Sequence, residues 1–331
     1  MATPAQRTRA AVAKGRFMRE VHPNRKRGHF NEKLIFCARA LLIFPKREID
    51  PPLKSVKPDS MLHFTKMNGA GNDFVMIDNR KGLPPLERAV IARLCDRHRG
   101  IGADGLIAVE PAREGADFRM RYYNSDGGEA EMCGNGARCF ARYAGRLAGR
   151  KGELRFETIA GVISATFSGE AGELVTIGMS DPHHQRLNIP LALPGGERTA
   201  HFLNTGVPHA VIFAEDLDTL PVTTLGAAIR HHETFAPKGT NVNFIRPTGH
   251  SSIDIRTYER GVEDETLACG TGVVASALVF HQIAGAQGPI SVRVRGGETL
   301  RVDFEGSDGV FTHVRLTGPA DFVFEGTTGL A

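Results

Sequence analysis

No stretch of this chain reaches the roughly 18 consecutive apolar residues that a membrane-spanning helix requires. The longest candidate, Leu34 to Phe44, is short and is interrupted by Arg39. Tryptophan is absent, and cysteine is scarce. The five cysteines (Cys37, Cys95, Cys133, Cys139 and Cys269) form an odd set without metal-finger spacing, in a 331-residue chain that does not need disulfides to fold. A reducing compartment, and so a cytoplasmic location, fits that usage. A secretory signal is not evident either, because the apolar stretch begins only near residue 34, long after the first basic residues. Positive charge is missing from most of the chain despite a net charge of +4: residues 1–60 hold fourteen Lys+Arg against five Asp+Glu, a net of +9, so residues 61–331 carry −5. A mildly acidic body excludes the clustered basic face of a nucleic-acid binder. Neither nucleic acid nor membrane is expected as a partner.

What is present begins with glycine, 38 residues of it, which points to many tight turns and a strand-rich chain with few helices. The first sixty residues are Arg-rich and carry Pro51, Pro52 and Pro58. They are expected to be a disordered basic extension, or sequence lying upstream of a start at Met61. From Met61 the pattern turns globular. Strands are expected at 62–67 and 74–78, a helix at 85–97, strands at 105–110 and 118–124, a helix at 137–147, and strands at 154–159, 162–167 and 174–177. The order then recurs, with strands at 200–204 and 210–214, a helix at 222–232, strands at 242–246 and 253–259, a helix at 273–283, and strands at 291–294, 299–304 and 310–316. An α+β chain of two similar halves follows, with side-chain identity between them too low to make an obvious sequence repeat.

Each half contains a cysteine at the mouth of a helix. Met132-Cys133-Gly134-Asn135-Gly136-Ala137-Arg138-Cys139 has a partner in Ala268-Cys269-Gly270-Thr271-Gly272. A thiol there lies near the positive end of the helix dipole, which favours the thiolate, and the glycines leave backbone N–H groups open to a ligand. One such cysteine alone reads as a small buried hydrophobe beside a turn. The recurrence favours two acid/base thiols flanking one bound anion. Inverting an amino-acid α-carbon needs a base on one face and an acid on the other. It also needs hydrogen-bond donors for the charge that builds on the carboxylate, which the N–H groups of Gly134, Asn135, Gly270 and Thr271 can supply. Such chemistry calls for no cofactor and no metal. Cys95 and Cys139 read as packing residues.

With these motifs in hand, residues 61–331 resemble the diaminopimelate epimerase family. The likeness is carried by Lys66-Met67-Asn68-Gly69-Ala70-Gly71-Asn72-Asp73-Phe74, by residues 97–105, by Tyr123-Asn124-Ser125-Asp126-Gly127, by Gly206-Val207-Pro208-His209, by Glu259-Arg260-Gly261 and by the two cysteine motifs. The resemblance implies a fold of two pseudo-symmetric halves, each a mixed, mostly antiparallel sheet or barrel wrapped around a central helix, with the site between them. The halves would be 61–179 with 319–331, and 180–318. It implies interconversion of L,L- and meso-2,6-diaminopimelate, by Cys133 and Cys269, and a homodimer. Asn72, Asn124 and Asn241 match positions that bind the substrate's amino and carboxylate groups. Arg260 matches the position that pairs with the distal carboxylate, and Glu259 and His209 match positions that adjust the protons on the thiols.

Two positions depart from the family pattern: Gly105 stands where Gln is frequent and Val207 where Asn is frequent, both substrate contacts. Asn204 or Asn243 is expected to compensate. A sister activity, proline or hydroxyproline racemisation, is disfavoured by Cys-Gly-Asn-Gly in place of the Cys-Gly-His expected of those relatives, and by an arginine for a second carboxylate. A related one-carboxylate isomerase group is disfavoured because both cysteines are present. A non-catalytic anion-binding module would leave the paired thiols unexplained.

Overall fold

The computed structural model describes residues 61–82, 86–150 and 152–329. The basic extension over residues 1–60 lies outside the described residues. From Met61 the chain forms β1 (Met61–Gly69), β2 (Asn72–Asp78), α1 (Arg88–Cys95), β3 (Gly105–Pro111), β4 (Phe118–Asn124), β5 (Glu129–Ala130), α2 (Gly134–Ala148), β6 (Leu154–Thr158), β7 (Gly161–Ser168) and β8 (Leu174–Gly178). It continues with β9 (His183–Leu193), β10 (Gly196–Asn204), β11 (Pro208–Phe213), α3 (Val222–Arg230), β12 (Asn241–Gly249), β13 (Ser252–Glu259), β14 (Asp264–Thr266) and α4 (Gly270–Ala284). Strands β15 (Ile290–Arg293), β16 (Thr299–Ser307), β17 (Val310–Pro319) and β18 (Asp321–Gly329) complete it.

The pairing of β1 to β8 is repeated by β10 to β17. Antiparallel β1–β2 corresponds to β10–β11, and parallel β2–β3, joined through α1, corresponds to parallel β11–β12, joined through α3. Parallel β4–β6 encloses α2 as parallel β13–β15 encloses α4. A parallel pair cannot close with a hairpin, so each of these four crossovers carries a helix. The outer strands complete the correspondence, β18 flanking β1 and β9 flanking β10. The fold is therefore α+β with two pseudo-symmetric halves, joined where β8 pairs with β17.

Why α4 occupies the centre of its half is written in its sequence. Residues Val273 to Phe280 are buried all round, and a helix apolar on every side belongs in a core. It touches β10, β11, β12, β13, β15 and β16, while α2 touches β1, β2, β3, β4, β6, β7 and β8. Each helix is thus ringed by its own half's strands. Both begin three residues earlier than their apolar runs suggest, with Ala137 N–H bonding the Cys133 carbonyl at 2.7 Å and Val273 N–H the Cys269 carbonyl at 2.9 Å. Both end on a left-handed glycine, Gly149 (φ 64°) and Gly285 (φ 67°), a conformation that costs glycine nothing. The remaining core fills the space under α1 and under α3. Among the described residues no helix is long and apolar enough to cross a membrane.

Candidate functional site

The two central helices meet head to head. A Cβ placed on Gly134 would lie 3.8 Å from the Gly270 Cα, and one on Gly270 would lie 3.6 Å from the Gly134 Cα and 3.2 Å from Leu316. Cys133 and Cys269 are the N-cap residues of these helices, both in extended conformation, so both thiols stand at the junction. They line one cavity of about 350 Å³. Along its walls the first half contributes Asn72, Asn124, Cys133, Gly134 and Asn135, and the second contributes Asn241, Glu259, Arg260, Cys269, Gly270 and Thr271. Of the residues matched from sequence to catalytic, thiol-tuning or substrate-binding positions, only His209 lies behind the wall. It is fully buried on β11, with its Nε2 2.9 Å from the Thr271 hydroxyl.

The repeat explains the convergence. Asn72 opens β2 and His209 lies near the start of β11; Gly105 opens β3 and Asn241 opens β12; Asn124 ends β4 and Glu259 ends β13. Each half presents the same end of its sheet to the helix junction. Polar side chains there are held by one another. Asn72 donates to Asp104 at 2.8 Å and accepts from Asn135 at 2.7 Å, while Asn135 accepts from the buried Arg138 guanidinium at 2.9 Å. The Asn135 amide also reaches the Ala268 carbonyl of the other half at 3.4 Å. Asn241 accepts the Arg260 N–H at 2.8 Å and donates to the Pro208 carbonyl at 3.0 Å. The Asn72 and Asn241 amides each keep one N–H for a ligand. Asn124 is exposed at the rim. The Arg260 guanidinium touches the Lys238 carbonyl at 3.4 Å and has no carboxylate partner among the described residues.

Burial dominates the electrostatics. It pushes the Cys269 thiol up to about 12, with the nearby Glu259 carboxylate adding to the rise and the Thr271 hydroxyl and Gly272 N–H opposing it. The Cys133 thiol is raised for the same reason, against the Gly136 and Asn135 N–H groups and the Arg138 charge. Glu259 is itself raised by burial, with Thr266 opposing. These directions correct the expectation of low-pKa thiols: the helix N-termini do favour the thiolates, but removal from water outweighs them. The packing roles expected of Cys95 and Cys139 hold, both buried, with burial raising their thiols to about 11 and about 12.

Compensation by Asn204 or Asn243 is not what the geometry provides. Neither lines the cavity; Asn204 accepts the Gly206 N–H at 3.0 Å, and Asn243 is fully buried with its amide engaged by His209, Ala210 and Thr257. What stands at the Gly105 position is Tyr122. A Cβ on Gly105 would lie 2.7 Å from the edge of that ring and 2.5 Å from the Tyr123 carbonyl, so the ring holds the space a longer side chain would need. Tyr122 lines the cavity, as does Ser180, and sequence reasoning missed both. The available signal for Tyr122 was its place two residues before Asn124 on one strand, hence on the same face. Among the described residues no group of three or more His, Cys, Asp or Glu is arranged to hold a metal ion.

Comparison with known proteins agrees with this layout. The family model for diaminopimelate epimerase matches residues 64–184 and 201–323, one segment from each half. The diaminopimelate epimerase of Aquifex aeolicus is 45% identical over 276 residues, covering 80% of this chain and 97% of its own. Two solved structures share the fold at 16% identity. A Bacillus anthracis phenazine biosynthesis protein of the PhzF family has a TM-score of 0.63, covering 81% of this chain and 99% of its own. A hydroxyproline epimerase from Agrobacterium vitis, with bound trans-4-hydroxy-L-proline, has 0.62, covering 82% and 93%. On the family match across both halves and the identity to the Aquifex relative, the chain belongs to the diaminopimelate epimerase family.

Proposed function

We propose that this protein is an amino-acid epimerase that interconverts L,L- and meso-2,6-diaminopimelate, a step toward lysine and peptidoglycan precursors, without a cofactor. The observation that carries the reading is the pair of cysteines capping two abutting helices on one cavity. In the proposed reaction one sulfur, as thiolate, takes the α-hydrogen as a proton and becomes a thiol. The opposite thiol then gives its proton to the other face of the carbanion and becomes the thiolate. The N–H groups of Gly134, Asn135, Gly270 and Thr271 hydrogen-bond the α-carboxylate as charge builds on it, each such donor contributing on the order of 3 kcal/mol. Arg260, with no carboxylate partner among the described residues, takes the distal carboxylate through its guanidinium fork. The spare N–H groups of Asn72 and Asn241, with Asn124 at the rim, orient the amino and carboxylate groups, and Glu259 and His209 set the protons on the sulfurs. A substrate ammonium brings positive charge into a pocket where burial and Glu259 disfavour the thiolate.

The functional halves are 61–179 with 319–331 and 180–318, the pairing of β18 with β1 supporting that division. A homodimer in the cytoplasm is part of the same reading; β18 pairs only with β1 among the described residues and leaves Val323 and Phe324 exposed. Incubation with diaminopimelate in D₂O, no cofactor added, should put deuterium on the α-carbon, whereas a simple anion-binding module would give none. Cys133→Ala and Cys269→Ala should each lose epimerisation while keeping the wild-type circular dichroism. Substantial turnover by either folded variant contradicts the two-thiol scheme.

A further inference from the structure

Behind the cavity wall a file of buried polar groups ends on one of the two sulfurs. Thr257 donates its hydroxyl to the Asn243 carbonyl oxygen at 3.0 Å, and the Asn243 Nδ2 lies 3.2 Å from the Ala210 carbonyl and 3.1 Å from His209 Nδ1. His209 Nε2 lies 2.9 Å from the Thr271 hydroxyl, and that hydroxyl lies 3.5 Å from Cys269 Sγ. Asn243 and His209 are fully buried and Thr257 is nearly so.

Donor and acceptor roles along this file follow by elimination. A backbone carbonyl can only accept, so the Asn243 atom facing Ala210 is the NH₂ group, and the Thr257 hydroxyl on the other oxygen holds the amide in that orientation. The second N–H of that NH₂ group points at His209 Nδ1, which must therefore be bare. Burial, with Arg260 nearby, holds the imidazole far below its usual range, to about 3, so the ring is neutral and its hydrogen sits on Nε2. Nε2–H donates to Thr271, leaving the threonine its own O–H to give to the sulfur.

We propose that Asn243 and Thr257 are positioning residues that lock His209 as the Nε2–H tautomer, so that Thr271 is turned into a fixed hydrogen-bond donor to Cys269. His209 is then a donor in a relay and not a base that accepts the thiol's proton. Cys133 has no counterpart to this file among the described residues: its stabilising groups are the Asn135 and Gly136 N–H groups and the Arg138 charge. Both sulfurs receive backbone N–H groups, and they differ in the third party: the Thr271 hydroxyl at Cys269 and the buried Arg138 charge at Cys133. The catalytic meaning of the lock rests on Cys269 being an acid/base group; the lock itself does not.

The test has two parts. In ¹⁵N-histidine-labelled enzyme at about pH 7, long-range ¹H–¹⁵N correlation reads the ring nitrogens of His209, assigned by their loss in His209→Gln. The expected spectrum is a neutral ring with hydrogen on Nε2; an Nδ1–H ring or an imidazolium overturns the proposal, and the reading is made on the native protein, the variant serving the assignment alone. Alkylation by iodoacetamide, followed at each cysteine by peptide mass spectrometry, should slow about tenfold at Cys269 in Thr271→Val, with Cys133 changed by less than about twofold and Thr271→Ser restoring most of the rate. Equal slowing of both cysteines, or none at Cys269, overturns it. If Cys269→Ala still epimerises while both results are as expected, the acid/base assignment falls and the lock stands; the converse pattern sinks the lock alone.

Discussion

Gly272 has no room for a methyl group. A Cβ there would lie 2.4 Å from Asn243 Oδ1 and 3.3 Å from His209 Cε1, and both neighbours are fully buried and hydrogen-bonded. Gly272→Ala should therefore displace the Asn243 amide and cost about 1–3 kcal/mol of stability, the usual range for overpacking. Denaturant unfolding should show the loss and kcat should fall with it; wild-type stability and turnover would mean that the amide has slack. The glycine was legible in the sequence as part of the Cys269 motif, but its reason was not, because Asn243 reaches it from a strand nearly thirty residues earlier. Asn243 itself shows where letters stop being informative. Strand alternation correctly puts it on the same side as Asn241, yet only tertiary packing decides that α4 covers one and leaves the other facing the cavity. The thiols show the same limit: helix-mouth position is a local property visible in the sequence, whereas desolvation depends on everything packed around it.

Among the elements, the start of β2 is fixed to the start of β3 by charge. Asp73 meets Lys66 at 2.7 Å and Arg97 at 2.7 Å, and Arg97 also meets Asp104 at 2.8 Å. Burial alone would push the Asp73 carboxyl up, but hydrogen bonds from Arg97 and Lys66 outweigh it and hold the group at about 2, below the ordinary 3.8. A carboxyl depressed on folding stabilises the native state above its unfolded value, and that contribution is lost as pH falls from about 4 through about 2. Because the site is partly open to solvent, the contribution is on the order of 1 kcal/mol. Asp73→Asn should be less stable than wild type at neutral pH by at least that much, since Lys66 is left buried without its carboxylate. The gap should close between about pH 4 and pH 2 in denaturant titrations, and a gap that is constant down to pH 2 would refute the assignment. Helix α1 and strand β7 of this chain were readable because one face of each is buried and imposes a period, and α4, β2 and β3 because burial on every side leaves a continuous apolar run. Strand β18 escaped because it is an outer strand without a buried residue, whereas β9 does alternate, Leu187, Ile189, Leu191 and Leu193 on its covered side, and escaped because Pro190 interrupts the run. Their place is set by pairing to β10 and β1, a long-range fact.

At the scale of the molecule the duplicated order of elements was visible in the sequence, and the consequence that both central helices point their N-termini at one spot required the resemblance or the coordinates. Assembly is a property that periodicity does not carry at all. The strand β18 pairs with β1 through a bulge beside Val323, and Val323 and Phe324 remain 57% and 49% exposed, with Met61 at 40% on the neighbouring strand. An outer strand bearing large apolar side chains is an adhesive edge, which proteins either protect or use. If it is used between copies, the wild-type protein should sediment at twice the 35.8 kDa chain mass. Phe324→Glu, which puts a charge where a partner copy would have to desolvate it, should then shift the protein toward the single-chain mass. Phe324 packs edge-on against Phe64 at 5.9 Å, so some stability is lost as well, and unfolding measured alongside separates the two effects. A wild type that sediments as one chain at micromolar concentration ends the homodimer reading, and a folded Phe324→Glu variant that stays dimeric moves the interface to another face.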